Sequence, residues 1–166
     1  MRFIKKMMAV LCILVIGCTA CAGGSSAADQ TMTEGNLTIT LTDEFQKQAN
    51  AQGFNWMYMS DKVIVMGVSE AQDLLSQAGI DVNTVEEYGK ACIDAHDGVS
   101  NVELQSAGNY AYAEYEQNVE GVDYSYYCAF YKGASDFWAV TFSTFKEDYA
   151  KQRDNIVKWA ASVAVQ

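Results

Sequence analysis

NYAYAEYEQNVEGVDYSYYCAFYKGASDFWAVTFS, residues 109–143, decides the fold. Aromatic and small apolar residues alternate through it, and two Gly-containing pairs, Glu120-Gly121 and Gly133-Ala134, interrupt the alternation as hairpin turns would. The pattern predicts an antiparallel meander over 109–118, 123–132 and 135–143, with a further strand over 101–107 ahead of it. If both loops have two residues, the register follows and divides the side chains between two faces. Ala111, Ala113, Tyr115, Tyr126, Cys128, Phe130, Phe137, Ala139 and Thr141 share one. Tyr110, Tyr112, Tyr127, Tyr131, Trp138, Val140 and Phe142 share the other. Both are apolar enough to need cover, which points to an α+β fold: a mostly antiparallel sheet with helices on both faces.

Toward the amino end, Leu37-Thr38-Ile39-Thr40-Leu41 alternates as a half-buried strand, and residues 54–59 and 62–68 form a hairpin about Ser60-Asp61. Two helices follow. Ser69 with Gln72 has the spacing of a capping box, and Gly79 with Ile80 suits a left-handed C-cap. Thr84 with Glu87 repeats the box and opens a helix whose apolar face is Val85, Tyr88, Cys92 and Ala95, ended by Asp97-Gly98. Beyond the meander, Thr144 with Glu147 gives a third box for a long C-terminal helix over 146–163. Tyr149, Ile156, Ala160 and Val163 form its stripe, with Trp159 beside it. No internal repeat is present.

The order is thus three strands, two helices, four strands and a long helix. With the aromatic meander running into the last helix, it resembles the Mog/PsbP-like group of α/β/α sandwiches. Residues 37–45 (LTITLTDEF) resemble the opening strand and turn of lipoproteins in that group, and Phe137 to Phe145 with the helix end Lys158-Trp159-Ala160-Ala161-Ser162-Val163 resembles their close. The resemblance covers about residues 36 to 165. It implies binding and assembly roles, since the group includes photosystem accessory proteins and a small-GTPase-binding protein. It carries over no functional residue.

The first residues read differently. Arg2, Lys5 and Lys6 precede an uncharged apolar run from Met7 to Ile16. That run is about half the roughly twenty residues a bilayer-spanning helix needs, and so suits a Sec-type signal peptide. Val15-Ile16-Gly17-Cys18 resembles the lipobox of bacterial lipoproteins. The resemblance implies cleavage before Cys18, a diacylglycerol on its sulfur and an acyl group, commonly palmitate, on the new amine; Cys21 offers a second register. Two or three chains anchor a protein stably where one does not. The expected layout is therefore a signal peptide over 1–17, a lipidated cysteine with a flexible Ala/Gly/Ser/Thr tether over 18–35, and one α/β domain over 36–166, held on the extracytoplasmic face of the cell membrane. The 17 residues after Cys18 would reach about 56 Å extended and about 23 Å on average.

Beyond the leader, eight bases remain against 21 acids, a net of −13. Such a chain repels phosphate backbones, which excludes nucleic acid as a partner. His96 is the only histidine, so multi-histidine metal sites are excluded, and it sits where a helix end favours a cation. Asp94, His96 and Asp97 lack the Gly-punctuated loop of a calcium site. No metal and no cofactor is expected. Cys92 and Cys128 fall on core faces; export to an oxidising compartment permits a disulfide between them, and two buried thiols are the other reading. Neither has the surroundings of a nucleophile, and no catalytic residue is assigned. Glu114, Glu116, Glu120 and Asp123 gather at the first hairpin of the meander, as a docking edge or as a solvated one.

The face of Tyr110, Tyr112, Tyr127, Tyr131 and Trp138 is the candidate binding surface if any of it stays exposed, and plain core if the first two helices cover it. These features describe a non-enzymatic lipoprotein that binds an envelope protein or component. The alternative is an envelope hydrolase or transferase, for which no spacing of nucleophile and base is visible.

Overall fold

The structure is a computed structural model describing residues 27–49, 53–96, 99 and 102–166. The expected signal peptide, Cys18 and Cys21 lie outside the described residues, as do Asp97 and Gly98. Two antiparallel sheets and three helices make up the fold. The strands are β1 Asp29–Glu34, β2 Leu37–Thr42, β3 Gln46–Lys47, β4 Trp56–Met59, β5 Ile64–Ala71, β6 Gln105–Ser106, β7 Ala111–Val119, β8 Val122–Lys132, β9 Asp136–Phe145 and β10 Ala164–Val165. The helices are α1 Gln72–Gln77, α2 Val85–Ala95 and α3 Lys146–Ala161. The larger sheet has the order β3-β4-β5-β9-β8-β7-β6, and the smaller β1-β2-β10.

The meander folds as its turn residues dictate. Glu120 and Gly121 both take positive φ, 53° and 89°, so Val119 pairs with Val122 across a two-residue turn. The second link is longer than expected. Lys132 pairs with Phe137, not with Ser135, and the Gly133 N–H bonds the Asp136 carbonyl at 2.8 Å. The reason lies in Asp136, whose carboxylate takes the Trp138 indole N–H at 3.1 Å and the Asn36 amide at 3.1 Å. Lengthening the loop by two residues conserves the alternation, so both expected faces survive.

On the face of Ala113, Cys128, Phe130, Phe137 and Ala139, α1 supplies Leu75 and α2 supplies Tyr88, Cys92 and Ile93. Small residues in the sheet leave a hollow there, and the buried Tyr88 ring fills it, stacked on Phe137 at 4.8 Å. Gly89 permits the close approach, since a Cβ would come within 2.8 Å of the Phe130 ring. The opposite face, with Tyr127, Tyr131, Trp138, Val140 and Phe142, packs on Leu37, Ile39 and Leu41 of β2 and on Ile156, Trp159 and Ala160 of α3. The tyrosine face is therefore covered by the small sheet and α3, not by the first two helices.

Three local expectations are corrected. Ser69 caps no helix: β5 runs on to Ala71, and the Ser69 N–H bonds Asn55 Oδ1 at 2.8 Å. Thr144 stays in β9, and α3 begins after Phe145 without a side-chain cap. The box at Thr84 and Glu87 does form, and α1 ends as a Schellman motif, with the Ile80 N–H on the Leu75 carbonyl and Gly79 at φ 77°. The third correction is β1. Residues 29–34, read as tether, pair with the whole of β2 from Asp29–Thr42 to Glu34–Leu37 through a turn at Gly35, φ 62°. Met32 packs on the core.

One glycine fixes the position of the largest buried ring. Trp56 is 1% exposed and lies across its cross-strand partner Gly67, where a Cβ would sit 2.1 Å from the indole. Gly67→Ala should lower stability by about 1–3 kcal/mol, the cost of overpacking a tight core. Urea unfolding should show a lower midpoint with an unchanged slope.

Candidate functional site

Four of the five residues of the expected binding face, Tyr110, Tyr127, Tyr131 and Trp138, are at most 3% exposed. Their polar tips are met inside the protein, as buried phenols and indoles require. The Tyr110 and Tyr127 hydroxyls lie 3.1 Å apart, Tyr131 donates to the Ala160 carbonyl at 2.8 Å, and the Trp138 N–H is shared by Asn36 and Asp136. Burial pushes the Tyr127 and Tyr131 hydroxyls far above the ordinary phenol range. Only Tyr112 reaches solvent, stacked on Tyr127 at 4.8 Å and bonded to Gln105. This face is a hydrogen-bonded core.

A second row of rings lies on the other face, toward the turn between β7 and β8. Tyr115 stacks on Tyr126 at 5.0 Å, and Tyr124 on Phe145 at 5.3 Å. The His96 ring approaches Tyr115 at 5.5 Å. Tyr115, Tyr124 and Phe145 are half-buried, so this row, and not the expected one, offers aromatic area to solvent. The signal was present in the sequence, since Tyr115 and Tyr126 share a face by register. Tyr124 lies within the expected strand but is assigned to neither face, and Phe145 falls outside because β9 runs two residues further than expected, to pair with Tyr124.

The acidic edge is largely neutralised from within. Glu114 receives Arg153 through two hydrogen bonds, at 3.0 and 2.7 Å, and also accepts the Tyr149 hydroxyl. Glu116 pairs with Lys146 at 2.6 Å, and Asp123 accepts the Asn118 amide. Glu120 holds the turn. Glu114 and Glu116 thus tie β7 to α3, while Asp123 and Glu120 belong to the hairpin turn.

Cys92 and Cys128 stand as buried free thiols, the second of the two readings their positions leave open. The Cys128 sulfur lies 3.4 Å from Thr141 Oγ1, and its thiol donates to the Tyr115 hydroxyl oxygen at 3.7 Å. Burial raises both thiols above their usual range, which suppresses the thiolate. Beside them Tyr88 donates to Glu70 at 2.9 Å, and burial pushes the Glu70 carboxyl up. His96 caps the C-terminal end of α2. Among the described residues no group of three or more His, Cys, Asp or Glu is placed to hold a metal ion, and no helix is long and apolar enough to cross a membrane. A cavity of about 490 Å³ lies at the β3–β4 edge, lined by Lys47, Gln48, Ala49, Phe54, Asn55 and Trp56. Among the described residues its wall holds no carboxylate, thiol or imidazole.

No family model matches the chain, and no curated protein matches it. Solved structures do. The chain is similar to a protein from Bacteroides thetaiotaomicron, with a TM-score of 0.54 and 11% identity over 86% of this chain. It spans about half of that protein, 49% of its length. It is also similar to cyanobacterial PsbP (CyanoP) from Synechocystis, with a TM-score of 0.51 and 13% identity over 89% of this chain and 98% of that one. The likeness is one of fold. It agrees with the PsbP-like pattern read from the strand order, and at this identity it carries no site across.

Glu114 gives the edge a measurable pH signature. Hydrogen bonds from Arg153 hold its carboxyl below the ordinary 4.5, against the opposing effect of burial. A depressed carboxyl contributes stability above its unfolded pKa and loses it as pH falls through the folded value. Glu114→Gln should cost about 1 kcal/mol at pH 7, held to that level because the Arg153 side chain is 43% exposed. In chemical unfolding at a series of pH values, the gap to wild type should hold from neutrality to about pH 5. It should close below 4.5, the ordinary value for this carboxyl.

Proposed function

We propose that this chain is a membrane-anchored extracytoplasmic lipoprotein whose domain, a PsbP-like α/β/α sandwich with helices on both faces, serves as a binding or accessory module for an envelope protein. The acyl anchor on Cys18, or on Cys21, provides attachment, and the domain provides recognition.

The observation that carries this reading is the fate of the cations. Beyond the leader the chain has eight, and each meets an acceptor. Lys47 pairs with Glu34, Lys62 and Lys151 with Asp148, Lys90 with Asp94, Lys146 with Glu116, Arg153 with Glu114 and Lys158 with Asp29, while Lys132 bonds the Asn83 carbonyl. The remaining carboxylates set the sign of the surface, with Glu44, Asp61, Asp81, Glu86, Glu103 and Glu120 among those outside these ion pairs. Such a domain has little to hold it on an anionic bilayer by itself, so an acyl anchor and a division of labour make physical sense. A partner with a basic surface would be drawn to it at rates that fall with salt.

Two measurements test the reading. Labelled palmitate should enter the wild-type product and be absent after Cys18→Ser with Cys21→Ser; equal labelling of the double variant would remove the anchor from the proposal. Cross-linking in intact cells, followed by mass spectrometry, should recover a neighbour with a basic face. Recovery of lipids and abundant proteins alone would count against a binding role.

A further inference from the structure

Resting on the lipoprotein reading, we infer that the domain meets the bilayer by one defined end: the corner where Ala28 joins the turn after β2. Three contacts make that corner a fixed point. The Ala28 N–H donates to Asp43 Oδ1 at 3.0 Å, the Asp43 N–H returns to the Ala28 carbonyl at 2.8 Å, and Lys158 of α3 holds the Asp29 carboxylate at 3.0 Å. From there β1 runs back along the entire length of β2.

This pairing changes which end the anchor grips. A tether lasting until Gly35 would leave the domain at the Gly35-Asn36 turn. With β1 docked, the covalent path from the lipidated Cys18 ends at Ala28, at the opposite end of β2. The two corners are separated by the five residue steps from Leu37 to Thr42, about 17 Å. Ten residue steps join Cys18 to Ala28, which limits their separation to about 36 Å whatever path the chain takes. The opposite corner lies about 17 Å further along β2 and can stand that much further from the anchor, so the Ala28 corner is the nearer to the lipid on average. The opposite corner faces away, where Asn36 binds the Gln166 backbone and meets Asp136 beside the Gly133 turn.

Charge at the near corner sharpens the expectation about the lipid. Asp29 is matched by Lys158, Asp43 is occupied by the Ala28 N–H, and Glu44 is exposed. No surplus cation there attracts an anionic headgroup, so the acyl chains alone decide the approach.

The test uses the full acylated chain in phosphatidylcholine vesicles that carry a nitroxide on a fraction of headgroups. A fluorophore is attached through an azide-bearing residue at Glu44 in one preparation and at Ala134 in another, both exposed positions. Quenching at Glu44 should exceed that at Ala134 by at least about twofold. Equal or reversed quenching in protein that floats with the vesicles would overturn the orientation and leave the anchor standing. Protein that fails to float would overturn the anchor, and the orientation with it.

Discussion

A central sheet that is apolar on both sides governs everything else in this domain. β8 is buried from Ser125 to Tyr131 and β9 over most of its length, alternate residues going to opposite layers. Such a sheet is unstable in water until each side is covered, and the chain meets this demand with unlike materials. One side receives α1 and α2, placed by the segment between β5 and β6. The other receives a layer built from β2 and α3, elements taken from the two ends of the described chain. Burial of rings on both sides also explains why the phenol hydroxyls meet a carbonyl, one another or a carboxylate, as at Tyr131, Tyr110 with Tyr127, and Tyr88. A phenol taken out of water without a partner costs about 1–3 kcal/mol, and here the partners are built in.

The sequence revealed the meander because its alternation is long and its turns carry glycine. The division into two faces was legible down to individual residues, from Ala111 to Phe142, and survived a loop two residues longer than expected. What covered each face was not legible. Helix α2 carries one large buried ring, Tyr88, which fits a sheet surface of alanine and cysteine; nothing local to either element declares that match. The capping residues misled for a related reason. Ser69 and Thr144 have the right spacing from Gln72 and Glu147, but the ladder with β9 or β8 offers their backbones a continuous row of bonds, and the strand wins. Thr84 has no such competitor and caps its helix.

The candidate site shows the same limit. Tyr110, Tyr127, Tyr131 and Trp138 looked like a platform because aromatic residues on a regular face serve as core and as binding surface alike. The choice between them rested on β2 and α3, distant in sequence. Half-buried rings lie instead at the end of the sheet, at Tyr115, Tyr124 and Phe145. Composition alone disclosed the excess of acids, but not that each of the eight bases would be engaged, since those pairs join residues as far apart as Asp29 and Lys158.

Strand β2 has one further consequence. It is flanked by β1 on one side and by Ala164 and Val165 on the other, residues some 126 positions away along the chain. Contacts of that span are slow to form, and they require both segments to exist. A polypeptide emerging from the ribosome can assemble its β4–β5 hairpin early. It cannot close the layer over its tyrosines until α3 and the last strand have been synthesised. That layer is thus the last part of the domain to close as the chain is made.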